Sequence, residues 1–164
     1  MLKRIMVGPM FLLLVAPFAS AFEVDGFRNG MSYQDARALI EEQSYSQVDF
    51  KDGHIGAWDA PPRKTDRTIF LNFCKDRLVQ VQKNLQPRFD YLVRLVDEKR
   101  KQLGKPLDAW SRPTDLTSPS ESNSVSFLWR DGSDFLKISF AQFSQNNQLY
   151  ILYEIRNSCY EIPY

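Results

Sequence analysis

Apolar residues recur along the chain with two periods, and the switches between them mark its elements. From Gly30 to Gln43 the residues Tyr33, Ala36, Leu39 and Ile40 return every three to four positions, the spacing of one helical face. Ser32 stands where a side-chain oxygen caps the first amides, and Asp35 complements the positive helix start. Met31 is placed to staple back onto the first turn. The period then becomes two. Tyr45 to Lys51 and His54 to Trp58 flank Asp52-Gly53, a pair suited to the positive backbone angles of a tight hairpin. Ala60 to Lys64 contains two prolines that cannot donate to a ladder, so it reads as a loop. Ile69, Leu71 and Phe73 then alternate with Phe70 and Asn72 in a strand that pairs with Arg77 to Lys83 across Lys75-Asp76.

The helical period returns from about Pro87 to Gln102, with Phe89, Leu92, Val93, Val96 and Leu103 on one face. Pro87 suits the first turn, Gly104 the left-handed position past the end, and Pro106 blocks continuation. Asp108 to Ser111 reads as a short strand and Arg112 to Asn123 as an exposed loop. Ser124 to Arg130, Asp134 to Phe143 and Leu149 to Asn157 are strands joined by turns at Asp131-Gly132 and Ser144 to Gln148. The order is helix, about four strands, helix, about four strands, a duplication in pattern. Hairpin-length links exclude parallel crossovers. The expectation is an α+β fold of two tandem helix-plus-antiparallel-meander units, about 26–84 and 87–160, with the helices on one face of the sheet.

Gly30-Met31-Ser32 opening a short helix, followed by a meander, resembles the repeated unit of two groups of small exported bacterial proteins. These are the outer-membrane assembly lipoproteins of the SmpA/OmlA type and the β-lactamase inhibitor proteins. The match covers the Gly-Met-Ser turn, the helix to Gln43 and the tandem order through Asn157. The resemblance implies a fold and a protein-binding habit rather than any catalytic residue.

The N-terminus adds an address. Lys3 and Arg4 precede an apolar stretch from Met10 to Phe18, and Ala19-Ser20-Ala21 supplies the small residues a signal peptidase inspects. Residues 1–21 therefore read as a secretory signal cleaved between Ala21 and Phe22. The stretch is shorter than the roughly 20 residues needed to span a bilayer, and no cysteine follows it for acylation. The expected product is a soluble periplasmic or secreted protein with no stable membrane anchor. It comprises residues 22–164 as a single domain and keeps all three tryptophans and ten of the twelve phenylalanines. Its 19 basic and 20 acidic groups lack the basic excess that nucleic-acid binding leaves in a composition. Export also bears on Cys74 and Cys159, the only cysteines. In an oxidising compartment an even pair fits one disulfide, the alternative being two buried thiols packed as small hydrophobes. Such a bridge would constrain the unfolded chain by roughly 4 kcal/mol.

Candidate chemistry is sparse. His54 is the only imidazole, beside a hairpin where an exposed turn position is the commoner fate, and no Gly-x-Ser-x-Gly elbow accompanies it. One histidine and two cysteines without a Cys-x-x-Cys spacing fall short of a zinc cage. No cofactor, metal or catalytic residue is assigned. Acids near the hairpins, Asp49, Asp52, Asp131 and Asp134, leave one enzymatic alternative: an envelope or carbohydrate hydrolase working through two carboxyl groups roughly 5 to 10 Å apart. Lys99-Arg100-Lys101 suits the negative end of its helix, with Asp97 in reach of Lys101. The aromatics are the surface candidates. Trp58, Trp110, Trp129, Tyr150 and Tyr153 lie on strands, and helices covering one sheet face leave the other to water or a partner. Aromatic residues on strands also fill cores. The reading is a non-catalytic, inhibitor-like module that binds another exported or envelope protein.

Overall fold

The computed structural model describes residues 22–59, 68–113, 122–143 and 146–160. The proposed signal and the loop at Ala60 to Lys64 lie outside these residues, as does the 114–121 part of the second loop. A two-residue hairpin, β1 (Glu23–Val24) and β2 (Phe27–Arg28), precedes helix α1 (Tyr33–Glu42). The Ser32 hydroxyl accepts from the Asp35 amide at 3.1 Å and donates to the Asp35 carboxylate at 2.7 Å, so cap and third residue satisfy each other. Ala36 and Ile40 are fully buried, with Met31, Tyr33 and Leu39 packed around them.

Strands β3 (Gln47–Lys51), β4 (His54–Trp58), β5 (Thr68–Cys74) and β6 (Arg77–Leu85) follow, then helix α2 (Phe89–Leu103). The chain continues through β7 (Asp108–Arg112), β8 (Ser122–Asp131), β9 (Asp134–Phe143) and β10 (Asn147–Ile155). All eight form one antiparallel sheet in the order β3-β4-β5-β6-β10-β9-β8-β7. The fold is α+β.

Register explains why both helices lie on the same face. Ile55, Leu71, Val81, Tyr153, Leu136 and Trp129 stand opposite one another from β4 across to β8, so a single apolar row runs under both helices. At one end this face holds Ile55, Ala57, Ile69 and Leu71 beneath Ala36 and Ile40. At the other it holds Trp129, Ile138, Leu149 and Ile151 beneath Leu92 and Leu95. Each such aliphatic side chain, buried, contributes roughly 1.5 to 3 kcal/mol. Tyr153 packs in both clusters, and burial pushes its phenol pKa up, with the charges of Asp25 and Glu98 acting in the same direction.

The apolar stripe of α2 differs from the expected one. Leu92, Leu95, Val96 and Leu103 face the sheet, whereas Phe89 is 64% and Val93 52% exposed. Lys99 explains the offset, since it lies on the inner face with only 16% of its side chain exposed and sends its ammonium outward to Gln102 at 2.9 Å. A lysine stem fills a position that a search for apolar letters passes over. The neighbouring Lys101 pairs with Asp97 at 2.7 Å. The first residue of α2 is Phe89, so Pro87 lies before the helix rather than in its first turn.

Turn chemistry also shows two differences. Only Gly53 of the Asp52-Gly53 pair takes a positive φ, +69°. Asp131 belongs to β8 and pairs with Asp134, so the turn residues there are Gly132 and Ser133. At the β5–β6 turn, Lys75 and Asp76 both hold positive φ, +50° and +62°, without a glycine. The Asp76 carboxylate accepts from the Tyr33 amide at 3.3 Å, which ties this turn to the start of α1. Cys74, just before the turn, is bonded to Cys159 with an S–S distance of 2.08 Å and a Cα–Cα distance of 5.6 Å. Asn157 shapes the tail that carries Cys159 by accepting from the Cys159 and Tyr160 amides at 2.9 and 2.8 Å. The disulfide is consistent with an oxidising, exported location. Among the described residues no helix is long and apolar enough to cross a membrane.

Candidate functional site

Side chains alternate across a strand, so the residues between the core positions project from the opposite face. Among the described residues no helix lies over that face. One row crosses all eight strands through Gln47, Trp58, Thr68, Asn84, Tyr150, Ser139, Ser126 and Trp110. Three of the five aromatic candidates share it. Tyr150 stands three strands from Trp58 and three from Trp110, about 14 Å each way at ordinary strand spacing. Trp129, 1% exposed, and Tyr153 are instead core residues on the helix side, because their positions in β8 and β10 fall in the opposite phase.

Local packing orients these rings. The Trp58 indole N–H donates to the Gln47 side-chain oxygen. Gly56 lies beside Trp58 and Phe70; a Cβ there would come within 3.3 Å of the Phe70 ring, so the absent side chain makes the room the rings occupy. Between Tyr150 and Trp110 the row narrows to Ser139 and Ser126, whose buried hydroxyls are 2.9 Å apart. These small residues leave a hollow of about 510 Å³ with Trp110 and Tyr150 in its walls and Asp108, Arg112 and Lys137 around them. The Lys137 ammonium sits 5.6 Å from the centre of the Tyr150 ring, within cation–π range.

A second row carries a chain of hydrogen bonds. His54, Asn72, Gln80 and Glu154 stand opposite one another on β4, β5, β6 and β10. His54 Nδ1 lies 2.7 Å from Asn72 Oδ1, the Asn72 amide donates to Gln80 Oε1, and Gln80 hydrogen-bonds the Glu154 carboxylate. Because Asn72 offers its oxygen, the His54 ring donates to it from Nδ1. Glu154 is 4% exposed. Burial pushes its pKa up, and the Gln80 hydrogen bond and the Lys137 charge only partly oppose that. His54 is therefore a half-buried strand residue stacked on Phe70, with ring centroids 6.0 Å apart, rather than an exposed turn residue. Amides at every second position of β6, namely Gln80, Gln82 and Asn84, were the one sequence signal for this polar row.

The acids do not assemble in a hollow. Asp49 pairs with Lys51 at 2.6 Å, and Asp52 is an exposed turn residue. Asp131 and Asp134 do meet, at the end of the β8–β9 hairpin, but they line none of the hollows described here. Burial raises the Asp134 pKa, the charge of Asp131 adds to it, and a hydrogen bond from Ser133 opposes it. Both sulfur atoms are tied up in the disulfide. Among the described residues no three His, Cys, Asp or Glu side chains are grouped as a metal site. No family model, curated protein or solved structure matches this chain.

Proposed function

We propose that this chain is an exported, soluble, non-catalytic protein-binding module, inhibitor-like in kind, that engages another exported or envelope protein through its open sheet face. The observation that carries this reading is the row that sets Trp58, Tyr150 and Trp110 at even spacing across eight strands. Tryptophan and tyrosine anchor interfaces because they bury large area at low entropic cost. A rigid sheet presents them without the ordering cost that a loop would incur.

The same proposal takes the chain as two tandem helix-plus-meander units, about 26–84 and 87–160. The supporting observation is the strand order, which runs in chain order inward from either edge to meet at β6 and β10. In each half one helix precedes a run of four sheet strands. Such an arrangement places the seam, with Tyr150 and Glu154 on one side and Gln80 and Asn84 on the other, at the centre of the face.

The test is affinity capture from an envelope extract, followed by calorimetric titration with the captured protein. Replacing Trp58 and Trp110 together by Ala is expected to weaken binding by at least 2 to 4 kcal/mol, on the order of a hot-spot pair. An affinity unchanged by that double substitution removes the proposal.

A further inference from the structure

On the open face Ser126 and Ser139 stand opposite each other on β8 and β9, with their hydroxyl oxygens 2.9 Å apart. Two hydroxyls carry two donor hydrogens, and the bond between them uses one. Whichever oxygen donates, the other O–H is left over. Among the described residues no acceptor receives it. Ser126 is 5% exposed and Ser139 3%, and both line the hollow of about 510 Å³, so the hollow is the side from which an acceptor can approach.

The walls around this pair are also rich in donors. Arg112 stands opposite Ser124, one row to one side of the two hydroxyls, and Lys137 precedes Ser139 by two residues, one row to the other side. Such a row lies about 7 Å away along the strands, within the length of a cationic side chain. Among the described residues the Arg112 guanidinium has no hydrogen-bond or ion-pair partner, and the Lys137 ammonium meets the Tyr150 ring but no acceptor within hydrogen-bond distance. Against these two cations the lining sets one acid, Asp108, whose carboxylate already accepts from the Ala109 amide at 2.8 Å. The hollow thus offers hydrogens and positive charge in excess of the acceptors that face them.

We propose that this hollow receives an acidic side chain of the protein partner, whose carboxylate takes the spare serine hydrogen and is neutralised by Lys137 and Arg112. The proposal rests on the reading of the open face as a protein-binding surface and names what the partner carries there. An ionised carboxylate has two oxygens with about four lone-pair sites and no hydrogen to give, which matches hydroxyl, ammonium and guanidinium donors. A lysine or arginine in its place would set donor against donor and like charge against like charge, so the same hollow rejects a basic side chain. A glutamine fills the same space but brings no charge and adds two donors of its own.

The experiment is an NMR titration of the purified protein with two capped tripeptides, acetyl-Gly-Glu-Gly-amide and acetyl-Gly-Gln-Gly-amide, read at the backbone amides of Ser126, Lys137 and Ser139. The glutamate peptide is expected to bind with a dissociation constant on the order of 1 to 10 mM, at least about fivefold tighter than the glutamine peptide. Lys137→Met and Arg112→Met are each expected to weaken it about threefold. Replacing Ser126 and Ser139 together by Ala removes both hydroxyls without stranding either, and is expected to weaken it at least about threefold. Salt at about 0.5 M weakens the glutamate peptide and leaves the glutamine peptide unchanged. Amide signals far from the hollow show whether each variant keeps its fold. No shift at the three amides up to about 50 mM glutamate peptide overturns the proposal, as does equal binding of the two peptides or binding indifferent to Lys137 and Arg112. Protein capture by the tryptophan variant is a separate readout. Peptide discrimination with capture that ignores the tryptophans overturns the protein-binding reading and leaves a carboxylate site; capture that needs the tryptophans without peptide discrimination overturns the carboxylate site and leaves the reading.

Discussion

Glu154 is a carboxyl group held in the middle of a sheet face, and its placement dictates a pH dependence. Its folded pKa lies above the usual 4.5 because burial disfavours the charged form. The folded protein thus binds more protons than the unfolded chain between 4.5 and that raised value, and stability falls as pH rises through it. Asp134, raised for the same reason, acts in the same direction. Glu154→Gln keeps the shape and the Gln80 contact while removing the charge. It is expected to raise the midpoint of thermal unfolding at pH 7 and to leave it nearly unchanged at pH 4, as calorimetry at the two values checks. Equal shifts at both pH values contradict this account of Glu154. A second residue-scale prediction concerns Lys75, whose φ of +50° is one that L side chains adopt at a cost of about 1 kcal/mol. Lys75→Gly is expected to stabilise by roughly 0.5 to 1 kcal/mol in urea unfolding, whereas a substitution that destabilises shows that the lysine makes a compensating contact.

The elements show how far local pattern reaches. The α1 cap at Ser32, the hairpin of β3 and β4, and strand β9 over Asp134–Phe143 were legible because each is fixed by neighbours in sequence. The inner face of α2 was not, because Lys99 behaves there as an aliphatic stem while Val93 does not contribute to the core. Truncation separates the two faces. Leu95→Ala is expected to cost about 2 to 5 kcal/mol and Val93→Ala no more than about 0.5, in chemical denaturation of the two variants. Similar costs would mean that α2 is rotated relative to the placement described. Hairpin boundaries moved by one or two residues, as at Gly132-Ser133, because register and not composition decides which residue begins the turn.

At the scale of the whole molecule, sequence pattern predicted helices on one face of an antiparallel sheet and left the strand order open. Which strands meet across the seam depends on contacts such as Leu85 with Leu149, sixty-four residues apart, for which no local signal exists. The candidate face was legible to the same degree. Trp58, Trp110 and Tyr150 could be named, but their common row, and the exclusion of Trp129 and Tyr153 from it, required the register of all eight strands. The polar row from His54 to Glu154 left only the alternating amides of β6 as a trace in the sequence, since its four members come from four strands. The Cys74–Cys159 bond ties the end of β5 to the segment that follows β10, across the central strand β6.

The central claim is that this face, and not the helix side, binds a protein. Affinity capture from an envelope extract, quantified by mass spectrometry, tests it with three baits: the original chain, the variant with Trp58→Ala and Trp110→Ala, and the helix-side variant with Phe89→Ala and Val93→Ala. The account predicts a protein retained by the original and the helix-side baits and lost from the tryptophan variant. A protein retained equally by all three, or lost only from the helix-side variant, would contradict it.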